Sequence, residues 1–280
     1  MATYNLLTNA LPHVGDNPGR NGILNALNHM GVHGTAGPNV QILPDGDGSL
    51  PGSAGSDDML SVGGGNHTLS GGGGFDYMVA GAASGNNTLD GGDGNDFLAI
   101  DDTFTGQATL LGGDGDDLMY DFSSANNSLD GGLGNDTIYS SGSGTDTVTG
   151  GDGNDLINAQ LSTGVNSLSG GVGNDTIYAG SGNSTLDGGD GNDLLVSGAG
   201  NATMLGGAGD DTFEVTAHSG NLTIDGGPGN DKVVFDNRPL SQATINTVAG
   251  VTTVTFKDGQ VVTVEDVTQL VFSDHKTFNL

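Results

Sequence analysis

The six-residue motif G-G-x-G-(N/D)-D returns through most of the chain with spacings of 18 to 21 residues. Full copies begin at Gly91, Gly112, Gly131, Gly150, Gly170, Gly188, Gly206 and Gly226, and degenerate copies at Gly52 and Gly71. A unit of that length cannot bury an apolar face by itself, so neighbouring units must stack and share one core. Every copy keeps Gly at position four and Asp at position six: Asp57, Asp76, Asp96, Asp117, Asp136, Asp155, Asp175, Asp193, Asp211 and Asp231.

Two residues after each Asp stands an apolar residue, from Met59 and Met78 to Phe213 and Val233, often with polar neighbours. That alternation reads as a very short strand with one side chain turned inward. A second half-repeat, G-N-x-(T/S)-L, supplies the opposite wall through Leu50, Leu69, Leu89, Leu110, Leu129, Val148, Leu168, Leu186, Met204 and Ile224. From the glycine position of this second turn to the next G-G pair is always six residues, whereas the other arc varies from 12 to 15. The aspartate side is therefore held to one geometry, and insertions collect near the asparagine side. Asn66, Asn86, Asn126, Asn183, Asn201 and Asn221 recur there, where stacked amides are expected to form a hydrogen-bonded ladder.

Gly makes up 54 of 280 residues, but it does not recur every third residue, which excludes a collagen helix. The formal charge is −29, with no Lys or Arg between Arg20 and Lys232. Such a chain repels nucleic acid and anionic membranes, and it repels itself when compact unless cations lie among the carboxylates. There is no Cys, so disulfides and thiolate metal sites are excluded. The start shows no secretory signal pattern and no apolar run long enough to span a membrane, so export is expected by a route without a cleaved N-terminal signal.

Glycines at positions one, two and four are expected to take φ > 0 and aim carbonyl oxygens into the turn, where the Asp adds a carboxylate. Calcium takes six to eight such oxygens, more than one turn offers. Two turns stacked at the ~4.8 Å strand spacing do offer enough, which puts the ions between coils. The motifs resemble the RTX (repeat-in-toxin) nonapeptide repeat, G-G-x-G-x-D-x-U-x, over roughly residues 52–234. The resemblance implies an all-β, right-handed parallel β-roll of about ten coils, calcium between its turns, and type I secretion directed by an uncleaved C-terminal segment. It also implies that the ten position-six aspartates are ligands. Asp93, Asp114, Asp152 and Asp190 at position three would assist, and Gly91, Gly112, Gly131, Gly150, Gly170, Gly188, Gly206 and Gly226 would offer carbonyls. Because the second turn is mostly uncharged, one row of up to about nine ions is expected rather than the family's two.

Three regions are expected: 1–45, an N-terminal cap or interaction segment; 46–234, the roll; and 235–280, a C-terminal cap and export signal. The alternating runs 251–256 and 261–264, joined through Asp258 and Gly259, read as a capping β-hairpin. His29 and His33 have zinc-compatible helical spacing, but Gly31 lies between them and no acidic ligand is near, so with His13 they read as part of the cap.

Neither H-E-x-x-H nor G-x-S-x-G occurs, and no enzymatic activity is expected. The expected function is an extracellular, calcium-binding structural protein that folds and self-associates on calcium binding, as a surface layer, matrix or filament, with attachment to the cell surface a variant of that reading. The alternatives are the secretion and folding module of an extracellular enzyme, or a surface- or ice-binding adhesin using the outward Thr/Ser column from Thr68 to Thr223.

Overall fold

A computed structural model describes residues 40–81, 84–216 and 220–280. It is all-β apart from a single short 3-10 turn among these residues, and it divides into two units, Met1–Gly144 and Thr145–Leu280. Each unit is a parallel β-solenoid carrying five of the ten aspartate turns, about ten coils in all.

In the first unit, one sheet contains Val40–Leu43, Asp58–Ser61, Tyr77–Ala80, Phe97–Ile100, Leu118–Asp121 and Thr137–Ser140, paired parallel in that order. The other contains Gly48–Ser53, His67–Gly73, Asn86–Asp93, Gln107–Asp114 and Ser128–Leu133. In the second unit the aspartate-side sheet runs from Leu156–Asn158 to Lys232–Phe235, and its partner from Thr147–Asp152 to Leu222–Asp225.

Register follows the repeat. Met59 pairs with Met78, Met78 with Leu98 and Leu98 with Met119. In the second unit Ile157 pairs with Ile177, then Leu195, Phe213 and Val233. A slip of one residue would turn the whole apolar column to solvent, so burial fixes the alignment. These residues are all 0% exposed, and those of the opposite wall from Leu69 to Ile224 are at most 1% exposed. Each such side chain contributes roughly 1.5–3 kcal/mol on burial, which is what lets three-residue strands persist. Leu50, in the first coil, is half-buried.

The expected hairpin forms between Val251–Phe256 and Val261–Glu265, with Gly259 at φ 97° in its turn. Its strand Val261–Glu265 also continues the roll, pairing parallel with Leu222–Asp225, while Gln269–Phe272 pairs parallel with Lys232–Phe235. Both sheets of the second unit thus gain one more coil's strand past residue 234. Antiparallel strands Ala243–Val248 and Thr277–Asn279 finish the sheets. Here the core is aromatic: Phe235 lies 5.0 Å from Phe272 and 5.1 Å from Phe256 between ring centroids. Arg238 stacks 4.7 Å from the Phe256 centroid and pairs with Asp258 at 2.7 Å. The three N-terminal histidines and most of region 1–45 lie outside the described residues.

Candidate calcium-binding turns

Each position-six Asp sits where the turn passes into the short strand, and its side chain points back into the turn. Asp57, Asp76, Asp96, Asp117, Asp136, Asp155, Asp175, Asp193, Asp211 and Asp231 are all buried, none more than 4% exposed. Their Oδ1 atoms form a one-way ladder, each accepting the backbone N–H of the Asp one coil earlier. In the first unit Asp76 N–H donates to Asp96 (2.7 Å), Asp96 to Asp117 (2.6 Å) and Asp117 to Asp136 (2.7 Å). In the second, Asp155 donates to Asp175 (2.7 Å), Asp175 to Asp193 (2.7 Å), Asp193 to Asp211 (2.8 Å) and Asp211 to Asp231 (2.8 Å).

The second carboxylate oxygen is left over. Oδ2 of Asp76, Asp96, Asp117, Asp175, Asp193, Asp211 and Asp231 is buried without a hydrogen-bond partner. Orphaned buried polar atoms are rare in native proteins and call for a ligand or ion. Each of these oxygens lies against the first glycine of its own turn, beside a carbonyl oxygen of the following coil. A methyl group on Gly91 would collide with Asp96 Oδ2 and the Gly112 carbonyl oxygen together. Gly112 is hemmed in the same way by Asp117 and Gly131, Gly170 by Asp175 and Gly188, Gly188 by Asp193 and Gly206, and Gly206 by Asp211 and Gly226. Gly150 stands likewise between Asp155 and the Gly170 carbonyl. An unpartnered carboxylate oxygen and a main-chain carbonyl therefore converge between successive coils, the donor set that calcium uses.

Only two of the three turn glycines have the expected backbone conformation. Gly92, Gly113, Gly132, Gly151, Gly171, Gly189 and Gly207 at position two, and Gly94, Gly115, Gly134, Gly153, Gly173, Gly191 and Gly209 at position four, have φ between 98° and 145°. Position one does not join them; its glycine is required because the carboxylate oxygen and the neighbouring carbonyl occupy the space of a side chain. At position three the side chains of Asp93, Asp114, Asp152 and Asp190 are exposed. What that position gives the stack is a carbonyl: Asp114 accepts from Gly94 N–H (2.6 Å) and Asp190 from Gly173 N–H (2.7 Å), as Leu133, Val172 and Ala208 do at equivalent places.

Position five carries a ladder that sequence reasoning missed. Asn135 N–H donates to Asp116 Oδ1 (2.7 Å), Asn174 to Asn154 (2.8 Å), Asn192 to Asn174 (2.7 Å) and Asp210 to Asn192 (2.6 Å). It runs opposite to the Asp ladder. The Asn-or-Asp alternation at position five was its only signal in the sequence.

Burial, less the relief given by the backbone N–H each accepts, raises the carboxyl pKa of Asp117 to about 7 and those of Asp76, Asp136, Asp175, Asp193 and Asp211 to about 6. Asp96 and Asp231 move upward for the same reason. Neighbouring Asp charges push further in the same direction at Asp76, Asp117 and Asp211. Carboxylates so placed resist ionisation unless a cation joins them. Among the described residues no three His, Cys, Asp or Glu side chains gather in a metal-binding group.

The first and last turns differ. In the degenerate turn at Gly52, Ser53 donates both N–H (2.7 Å) and Oγ–H (2.8 Å) to Asp57 Oδ2, so that oxygen is satisfied by protein. At the other end the Asp266 carbonyl, on a residue with φ 47°, meets Asp231 Oδ2 beside Gly226 in place of a following turn's glycine.

The asparagine turn has its ladder, but the bonds run from backbone N–H to side-chain oxygen. Asn86 donates to Asn66 (2.8 Å), Asn201 to Asn183 (3.0 Å) and Asn221 to Asn201 (2.8 Å). One residue further in, the first unit buries polar groups: His67 N–H donates to Asn87 Oδ1 (3.1 Å), and Asn127 Nδ2 donates to Asp121 Oδ2 (2.7 Å) and Ser123 Oγ (2.7 Å). In the second unit this column becomes apolar toward Ala202 and Leu222.

A parallel β-solenoid whose stacked turns each present a buried carboxylate and carbonyls to a shared cation position defines a calcium-binding β-roll. The chain belongs to the RTX calcium-binding nonapeptide repeat family, which it matches in overlapping stretches at residues 52–84, 82–99, 123–142, 140–161, 162–195, 169–204, 179–213, 187–221 and 215–237. None of the curated proteins matches it. Among the described residues no helix is long and apolar enough to cross a membrane.

Proposed function

We propose that this protein is an extracellular structural component, without enzymatic activity, that folds on meeting calcium outside the cell and then associates with copies of itself. The observation that carries the folding step is the buried, partnerless Oδ2 recurring at one turn after another. Without cations these carboxylates oppose stacking; with them, each ion bound only by the folded form adds RT ln(1 + [L]/Kd), about 2.7 kcal/mol at a hundredfold excess over Kd. Where free calcium is scarce the chain stays extended and exportable. Coupling between neighbouring coils makes the transition steep once calcium is abundant. One row of up to about nine ions on the aspartate side follows from the mostly uncharged asparagine turns, where Asp101, Asp121 and Asp146 are buried exceptions.

Self-association is supported by the strands that finish the sheets. Ala243–Val248 and Thr277–Asn279 are largely exposed, and they carry Val248 at 64% and Phe278 at 40% exposure. Unprotected edges of this kind template pairing with another chain. Light scattering of the purified protein with and without millimolar calcium tests the reading. Calcium-dependent growth in mass is expected, and a monomer under both conditions would refute assembly.

A second reading, recognition of an ordered surface, draws support from the hydroxyl column of the second unit. Thr147, Ser167, Thr185, Thr203, Thr223, Thr263 and Thr253 stand in one continuous register on the outer face. Thermal hysteresis in a freezing assay separates it from the first, which predicts none.

A further inference from the structure

The closing coil of the second unit lacks the motif that builds the others. Glu265 pairs with Asp225 and Gln269 with Lys232, so both strands of this coil stay in register with the roll. Between those pairs the repeat has six residues, 226–231, and the closing coil only three, Asp266, Val267 and Thr268. This abbreviated turn has no glycine and no position-six carboxylate. It nonetheless keeps the carbonyl. A methyl group on Gly226 would collide with the Asp266 carbonyl oxygen and Asp231 Oδ2, as one on Gly206 would with the Gly226 carbonyl oxygen and Asp211 Oδ2. Asp266 holds its carbonyl there from the left-handed region, at φ 47°, which among residues other than glycine mainly Asn and Asp tolerate.

Asp231 is 0% exposed, and among the described residues its Oδ2 has no hydrogen-bond partner. The closing coil has donors at hand and directs them elsewhere. Thr268 N–H (3.0 Å), Thr268 Oγ–H (2.8 Å) and Gln269 N–H (3.2 Å) all go to the Asp231 main-chain carbonyl. At the first turn the chain does the reverse, giving Asp57 Oδ2 two donors from Ser53. A carboxylate at an end of the repeat can thus be satisfied by protein, and at Asp231 it is not. We propose that Asp231 Oδ2 and the Asp266 carbonyl form a calcium position outside the repeat, whose ion clamps the closing coil to the last aspartate turn. Calcium accepts such a mixed pair and takes water in its remaining places. The proposal rests on calcium binding by the roll and adds a site that the repeat motif does not contain.

Calorimetric titration of the full chain with calcium alone tests it, because the number of ions bound separates a ligand from a buried, protonated carboxyl. Asp231→Asn should bind one ion fewer than wild type. At saturating calcium its amides in Gln269–Phe272 should exchange hydrogen about tenfold faster, with those of Thr176–Tyr178 unchanged. Asp266→Gly, which keeps the left-handed turn and removes only an exposed side chain, should bind the full number. Asp266→Val, disfavoured at φ 47°, should lose one ion although every buried carboxylate remains. An undiminished count in Asp231→Asn or Asp266→Val would overturn the proposal and leave the calcium-folded roll standing. So would loss of an ion in Asp266→Gly, since the side chain would then be the ligand. A wild-type chain that binds no calcium would overturn this proposal and the folding reading together.

Discussion

At the asparagine turn of the second unit, Asn221 N–H reaches Asn201 Oδ1 at 2.8 Å and Asn201 N–H reaches Asn183 Oδ1 at 3.0 Å. At the aspartate turn of the same coils, Asp193 N–H reaches Asp211 Oδ1 and Asp211 N–H reaches Asp231 Oδ1, both at 2.8 Å. The backbone demand is the same, and one side-chain oxygen per coil answers it on either edge. The difference lies in the other atom. An amide finishes neutral and exposed, whereas the carboxylate keeps a buried oxygen with nothing to bind. The asparagine edge is complete as protein; the aspartate edge is complete only with a cation. On the proposed reading, calcium dependence in these coils is confined to the aspartate edge.

Chelation should break this contrast most forcefully. Exhaustive EGTA treatment at neutral pH is expected to abolish most of the far-ultraviolet β signal of the rolls, and retention of full β content would mean that the aspartate edge needs no ion. Acid should then restore part of what chelation removes. Folding raises these carboxyl pKa values above 3.8, so the metal-free folded form binds more protons than the unfolded chain. Its stability should rise as pH falls through about 7 and about 6, with the gain complete below 3.8. The calcium-loaded protein should show the opposite trend in that window as protons displace metal. Circular dichroism against pH, with and without calcium, reads both.

Smaller effects sharpen the comparison residue by residue. Asp193→Asn keeps a ladder oxygen but loses the charge, and should cost about 2.7 kcal/mol per ion lost at hundredfold-excess calcium, seen as a right-shifted calcium titration. Gly188→Ala should lower the melting temperature of the loaded form, by about 1–3 kcal/mol of overpacking against Asp193 and the Gly206 carbonyl. Asn201→Ala should cost least, about 0.5–1.5 kcal/mol for the lost hydrogen bond, and without shifting the calcium midpoint. A calcium shift in Asn201→Ala equal to that in Asp193→Asn would erase the distinction between the edges.

The roll was legible because its signals repeat: ten Asp positions and two columns of apolar residues each predict the same stacking, and the register pairs them as the spacing requires. The C-terminal hairpin was legible from alternation and one Asp-Gly turn. What escaped reading depends on contacts between residues 18 to 21 apart, such as the position-five ladder through Asn154, Asn174 and Asn192. Gly188 was seen as a glycine but for the wrong reason, since a steric demand from a neighbouring coil leaves no local trace. The roles of Ser53 and Asp266 were hidden for a related reason. Each stands in for a missing neighbour at an end of the repeat, where the pattern itself fades.

The third turn position lends the stack a carbonyl, and Asp93, Leu133, Val172, Ala208 and Pro228 all occupy it. Within each unit its side chains form a file along the rim, about 4.8 Å from one coil to the next, whose letters can be rewritten without disturbing the frame beneath. Selection, or a protein engineer, is free to print a recognition pattern there at a pitch of about 4.8 Å while the fold stays indifferent to the message.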